Sequence, residues 1–133
     1  VTITGTIMTT QQNLEFGSTP EQMVYLQLLE LGKVPEVDFS YQAAQLGGRM
    51  QKGGMILDFL FYDPPDLAIN VQGIYWHYGK GTIVRQNDLF IRAQLAGEGT
   101  HLIFIDEDDI MQDVEFYTRE ALRYRDHSQL GRG

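Results

Sequence analysis

The chain has 133 residues, 43% of them hydrophobic and 21% charged, which suits one globular domain with a real core. No apolar run approaches the roughly 18 residues that span a bilayer, and the start lacks the basic-then-apolar layout of a signal peptide. There is no cysteine, so disulfides, thiolate zinc sites and cysteine nucleophiles are excluded, and a reducing, cytoplasmic setting is expected.

The net charge is −8, which at first argues against a polyanionic partner. The charge is unevenly spread. Residues 98–126 carry nine acids against three arginines, and residues 1–48 carry five acids against Lys33 alone. Residues 49–92 are the exception: Arg49, Lys52, Lys80, Arg85 and Arg92 outweigh Asp58, Asp63, Asp66 and Asp88 by one. Only this middle part faces a polyanion comfortably. The chain starts at Val1 rather than Met, so a processed product or a piece of something longer is expected.

In chain order, Val1–Ile7 alternates weakly and reads as a short strand or arm within a polar stretch to residue 17. Ser18-Thr19-Pro20-Glu21 then opens a helix. Ser18 or Thr19 can cap it, Pro20 suits the first turn, and Glu21 favours the positive end of the dipole. Val24, Leu28 and Leu31 recur at helical spacing, and Gly32 is the stop. Val37–Tyr41 reads as a short strand and 45–54 as a glycine-rich loop. Met55–Tyr62 reads as one buried strand with an acid, Asp58, inside it. The Asp63-Pro64-Pro65-Asp66 turn joins it to Leu67–Val71, giving an antiparallel hairpin. Gly79–Thr82 breaks the chain, and Val84–Ala96 has helical spacing that ends at Gly97 and Gly99. His101–Ile105 is a further core strand. An acidic turn, Asp106–Asp109, caps a last helix over Ile110–Tyr124. There is no internal repeat. This order predicts an α/β fold, a small mixed β-sheet flanked by helices, in a single domain over 1–133 with an arm at 1–17 and a tail at 126–133.

Asp58 carries the first chemical signal. A lone carboxylate in an apolar strand must be paired, hydrogen-bonded, metal-bound, or turned to solvent on an edge strand. Downstream, Gly73 lets the backbone turn sharply before Ile74-Tyr75-Trp76-His77. His77 can reach back toward Asp58, or be a packed, hydrogen-bonded residue behind two aromatics. Asp88 and Glu21 each read equally as first-turn acids supporting a helix dipole. None of the four is specific alone.

Together they resemble a known family. The Ser18-Thr19-Pro20-Glu21 helix start, Leu57-Asp58-Phe59, the run Ala68–His77, Arg85-Gln86-Asn87-Asp88 and Leu95–Ile103 resemble the very-short-patch-repair endonucleases and related homing endonucleases of the PD-(D/E)XK superfamily. The resemblance runs roughly over residues 18–110. That branch carries Glu, Asp, a variable residue, His and Asp in chain order (EDxHD), which here would be Glu21, Asp58, Gln72, His77 and Asp88. The broader superfamily places acid, any residue, lysine on the second strand; Asn70-Val71-Gln72 departs from that, and zinc-binding cysteines found in some members have no counterpart.

The resemblance implies a restriction-endonuclease-like core and hydrolysis of DNA phosphodiesters with Mg²⁺, for which Mn²⁺ substitutes, in a microbial or phage-infected cell. Asp58 would be the central metal ligand with Glu21 assisting, His77 the general base and Asp88 its orienting partner. Arg49, Lys52, Lys80 and Arg85 are candidate phosphate contacts. A domain this acidic binds DNA weakly alone, so a homodimer or a separate DNA-binding segment is expected. The competing expectation, prompted by Asn70 and Gln72, is a nuclease-fold binding or assembly module without catalysis.

Overall fold

The computed structural model describes residues 16–41, 50–52, 55–73, 89, 90 and 92–129. The expected arm at 1–7, most of the loop at 45–54 and the helix start at Val84 lie outside them. Helix α1 spans Thr19–Glu30, with Ser18 as its N-cap accepting the Glu21 N–H and proline in the first turn. It ends as the glycine signal predicts. Gly32 N–H donates to Leu29 O at 3.0 Å and Lys33 N–H to Leu28 O at 2.9 Å, with Gly32 at φ 89°. This is a Schellman closure, which needs a left-handed residue.

Four strands form the main sheet, β1 (Phe39–Tyr41), β4 (Phe59–Phe61), β5 (Leu67–Gln72) and β6 (His101–Asp106), in the order β1-β4-β5-β6. The β1–β4 and β4–β5 pairs are antiparallel and β5–β6 is parallel. The predicted hairpin and mixed sheet are therefore present. β5 and β6 are buried on both faces, as their nearly unbroken apolar runs require.

Two local expectations change. The single strand over Met55–Tyr62 is two strands. It breaks at Asp58 into β3 (Met55–Leu57) and β4, because Asp58 bonds sideways to β5 instead of continuing the ladder. Part of the expected loop, β2 (Met50–Lys52), pairs antiparallel with β3 in a separate two-stranded ribbon. The glycines flanking this short segment hide it, since composition alone reads such a stretch as a turn.

Each face of the sheet has its own core. On one face α1 and α3 (Glu107–Leu122) cover Phe39, Tyr41, Phe59, Ile69, Ile103 and their neighbours. On the other, helix α2 over residues 92–97 contributes Leu95 against Leu57, Ala68, Leu102 and Phe104. α2 closes like α1, with Gly99 at φ 90° and Thr100 N–H on Leu95 O at 2.9 Å. Nothing stands within 4 Å of a Cβ built on Gly32. Gly32→Ala therefore isolates the left-handed backbone cost, and chemical denaturation should show a loss of about 1–2 kcal/mol.

The last helix starts three residues earlier than predicted, since Glu107, Asp108 and Asp109 all fit its first turn. It bends at Asp113 (φ −161°, ψ 82°), whose Oδ1 accepts the Phe116 N–H and recaps the second half. It ends at Leu122, where Tyr124 takes the left-handed position (φ 63°) in a third closure of the same type. The Tyr124 hydroxyl donates to Pro65 O at 2.6 Å, tying the helix end to the β4–β5 turn.

Residues 126–129, where the sequence predicts the start of a tail, are anchored along the outer edge of β6. Asp126 Oδ2 accepts the Phe104 N–H at 2.9 Å, and the Gln129 N–H donates to Asp106 Oδ2 at 3.0 Å. Such cover blunts an exposed strand edge. His127 Nε2 lies 2.9 Å from Glu120 Oε1, and Arg125 donates to Glu120 Oε2 at 3.0 Å. The His127 hydrogen bond holds the Glu120 carboxyl below its ordinary value; burial opposes this and the Arg125 charge adds to it. A lowered folded value gives stability that is fully present above the ordinary carboxylate value and lost as pH falls through the lowered one. The melting temperature of the parent should therefore fall more steeply with acid than that of Glu120→Gln, with the two curves converging at low pH.

Candidate active site

The register of the sheet gathers polar residues at one end. Tyr41, the last residue of β1, pairs with Phe59, the first of β4. Phe59 pairs with Ile69, so the chain before β4 and the end of β5 lie at this same end. Gln72 closes β5 opposite Asp106, which closes β6. The carboxyl ends of β1, β5 and β6 thus meet the bend at Asp58. In open α/β sheets, ligands bind outside the carboxyl ends of strands.

Asp58 is 9% exposed, and it is held from two directions. Its N–H donates to Asn70 Oδ1 at 2.8 Å, and its Oδ2 accepts the Val71 N–H at 2.8 Å. The Val71 N–H, which points toward β4, thus meets a side-chain carboxylate in place of a main-chain carbonyl. The carboxylate is therefore a buried, hydrogen-bonded group and not a solvent-facing acid of an edge strand.

Glu21 reaches the same end of the sheet from α1. The Tyr41 hydroxyl donates to Glu21 Oε1 and accepts the Gly17 N–H at 2.8 Å. Tyr41 is 1% exposed, packed with Phe59 at a ring separation of 4.9 Å and against Tyr25 and Phe16. A buried phenol needs a polar partner, and this one fixes the Glu21 carboxylate at the hydroxyl tip of Tyr41, whose own register partner, Phe59, follows Asp58 in the chain. Gln72 is 8% exposed and Asp106 is 3% exposed.

Of the predicted residues, Asp58, Glu21 and Gln72 are placed at this end of the sheet. Lys52 ends β2, in the ribbon whose second strand leads directly into Asp58. His77, Asp88, Arg49, Lys80 and Arg85 lie outside the described residues, as do Tyr75 and Trp76. Among the described residues no three acidic or histidine side chains cluster so as to hold a metal by themselves. The described donors are hard oxygens, the Asp58 carboxylate above all, and their chemistry suits a cation such as Mg²⁺ rather than a soft metal.

Sequence reasoning misses three contributors. Asn70 reads there as a missing acid; its carboxamide is a backbone anchor. Tyr41 reads as part of a short strand, although a tyrosine among apolar neighbours signals a hydroxyl in need of a partner. Asp106 reads as part of a capping turn, but its side chain makes no capping bond and instead accepts from Gln129. No described helix is long and apolar enough to cross a membrane.

No protein-family model matches this chain, and no curated protein does. Among solved structures, the catalytic domain of the homing endonuclease I-Bth0305I is similar in fold, with a TM-score of 0.59 and 20% identity, covering 81% of this chain and 94% of that one. The shared architecture is the mixed four-strand sheet with three helices.

Proposed function

We propose that this chain is a metal-dependent endonuclease domain that hydrolyses DNA phosphodiesters, of the homing or patch-repair (EDxHD) type. The observation that carries this reading is Asp58. It is a buried carboxylate clamped at the carboxyl edge of a sheet whose fold resembles a homing endonuclease catalytic domain. Asp58 and Glu21 would hold Mg²⁺, or Mn²⁺ in its place, with the Gln72 carboxamide beside them. When bound, the cation would supply charge stabilisation at the scissile phosphate. His77 would take the proton of the attacking water, and Asp88 would orient His77. Lys52, on the ribbon that leads into Asp58, would contact phosphates together with Arg49, Lys80 and Arg85. The net charge of −8 makes a second copy or a separate basic segment necessary for tight DNA binding.

The reading is tested on supercoiled plasmid with Mg²⁺, with and without chelator, for the parent and Asp58→Ala. Nicked or linear product from the parent alone, removed by chelator, supports it. Equal product from both proteins refutes it. A second reading, a nuclease-fold binding module without catalysis, is prompted by Asn70 and Gln72, which stand where the broader superfamily places an acid and a lysine. It requires that Asp58→Ala leave DNA or partner binding unchanged and that no product form in either metal.

A further inference from the structure

We propose that Asn70 is the positioning residue of the Asp58 site, so that the carboxamide on the second strand is a built part of the centre and not the remnant of a lost acid. This rests on the nuclease reading above. The register places Asn70 next in line after the Ile69–Phe59 pair, opposite Asp58. The Val71 N–H points toward β4, so by the alternation of an antiparallel ladder Asn70 and Asp58 face each other without main-chain bonds between them. Asn70 Oδ1 takes the Asp58 N–H at 2.8 Å, and Asp58 Oδ2 takes the Val71 N–H at 2.8 Å.

The two bonds form a reciprocal clasp with distinct tasks. The bond from Val71 orients the carboxylate itself. The bond to Asn70 fixes the backbone from which the carboxylate projects, at the point where the chain leaves the β2–β3 ribbon and enters the main sheet. Without an acceptor at position 70 the Asp58 N–H is left in a buried setting with no side-chain partner there, and the bend loses its anchor. A second-strand acid at this position would also accept the N–H, but it would set a negative charge against the Asp58 carboxylate. The neutral carboxamide gives the anchor without that repulsion. Partners that orient a ligand from behind commonly change metal affinity or activity by 10–100-fold when removed.

The test uses Asn70→Leu, which keeps the size and removes the acceptor, and Asn70→Asp, which keeps an acceptor. Amide hydrogen exchange compares the Asp58 N–H with that of Leu60 in the same protein. Calorimetric titration with Mn²⁺ and plasmid cleavage are measured alongside. Asn70→Leu should speed Asp58 exchange about tenfold or more relative to Leu60, weaken Mn²⁺ binding about tenfold or more, and lower kcat with little change in KM. Asn70→Asp should recover the Asp58 protection. Asn70→Ala carries the same expectation as Asn70→Leu if the larger apolar side chain prevents folding. Parent-like Asp58 exchange and Mn²⁺ affinity in the folded Leu or Ala variant would overturn the proposal. Failure of the nuclease reading looks different: Asp58→Ala would then bind Mn²⁺ and cleave as the parent does, whatever position 70 holds.

Discussion

Asp58→Asn is expected to lower plasmid cleavage by at least about 100-fold, the scale on which single electrostatic contributors to a transition state are measured, while leaving the protein folded. The two halves of this expectation have separate causes. The substituted carboxamide would keep a carbonyl oxygen where Asp58 Oδ2 accepts the Val71 N–H, so no buried donor is stranded. It would lose the negative charge through which the site would hold a divalent cation. Asp58→Ala removes both. It leaves the Val71 N–H without its acceptor, a cost of about 1–3 kcal/mol for a buried donor. A matched loss of cleavage with unequal loss of stability between the two variants is therefore the signature, read by plasmid cleavage and urea denaturation on the same samples. Equal destabilisation by the two substitutions would mean that the charge, and not the acceptor, holds the bend.

Phe59→Ala is expected to have the largest effect on stability, about 3–5 kcal/mol by denaturant titration. Phe59 is fully buried. Its ring packs between Phe39, at 6.2 Å between centroids, and Tyr41, at 4.9 Å. It also pairs in register with Tyr41 on one side and Ile69 on the other, so the cavity opens in the centre of the α1-facing core. The effect reaches the site by contact. Tyr41 holds Glu21, and Phe59 follows Asp58 directly in the chain. Cleavage should thus fall even below the temperature at which the variant unfolds. Phe61→Leu, at the far end of β4, removes less volume and should leave cleavage at the parent level while still lowering stability. Loss of activity in both to the same degree would assign the effect to global unfolding.

What can be read from sequence follows the reach of each interaction. The start and end of α1 obey rules that act within four residues, so Ser18, Pro20 and Gly32 signal them. The β4–β5 hairpin and β6 are apolar runs bounded by turn residues, and their pairing follows from shortness of connection and burial. The break at Asp58 is different. It exists because Asn70 and Val71, twelve and thirteen residues away, offer side-chain and main-chain partners, and no local pattern carries that information. The same holds for Tyr41 and Glu21, brought together across 20 residues by the docking of α1 on the sheet. Residues 126–129 resemble a tail in sequence because they are polar. Their polar groups are the means of attachment: Asp126 and Gln129 bond to β6, His127 bonds to Glu120 on α3, and Ser128 bonds back to Asp126. The burial cost of a lone acid marks Asp58 as needing a partner; the identity of what satisfies it requires the fold.

The most direct measurement is the paramagnetic broadening of backbone amide signals as Mn²⁺ is added to the ¹⁵N-labelled protein. Broadening centred on Asp58, Val71 and Gln72, reaching Glu21 and lost in Asp58→Asn, is the expected result. Broadening centred on the acidic first turn of α3, Glu107–Asp109, with the Asp58 region unaffected, would contradict a divalent-cation site at this edge of the sheet.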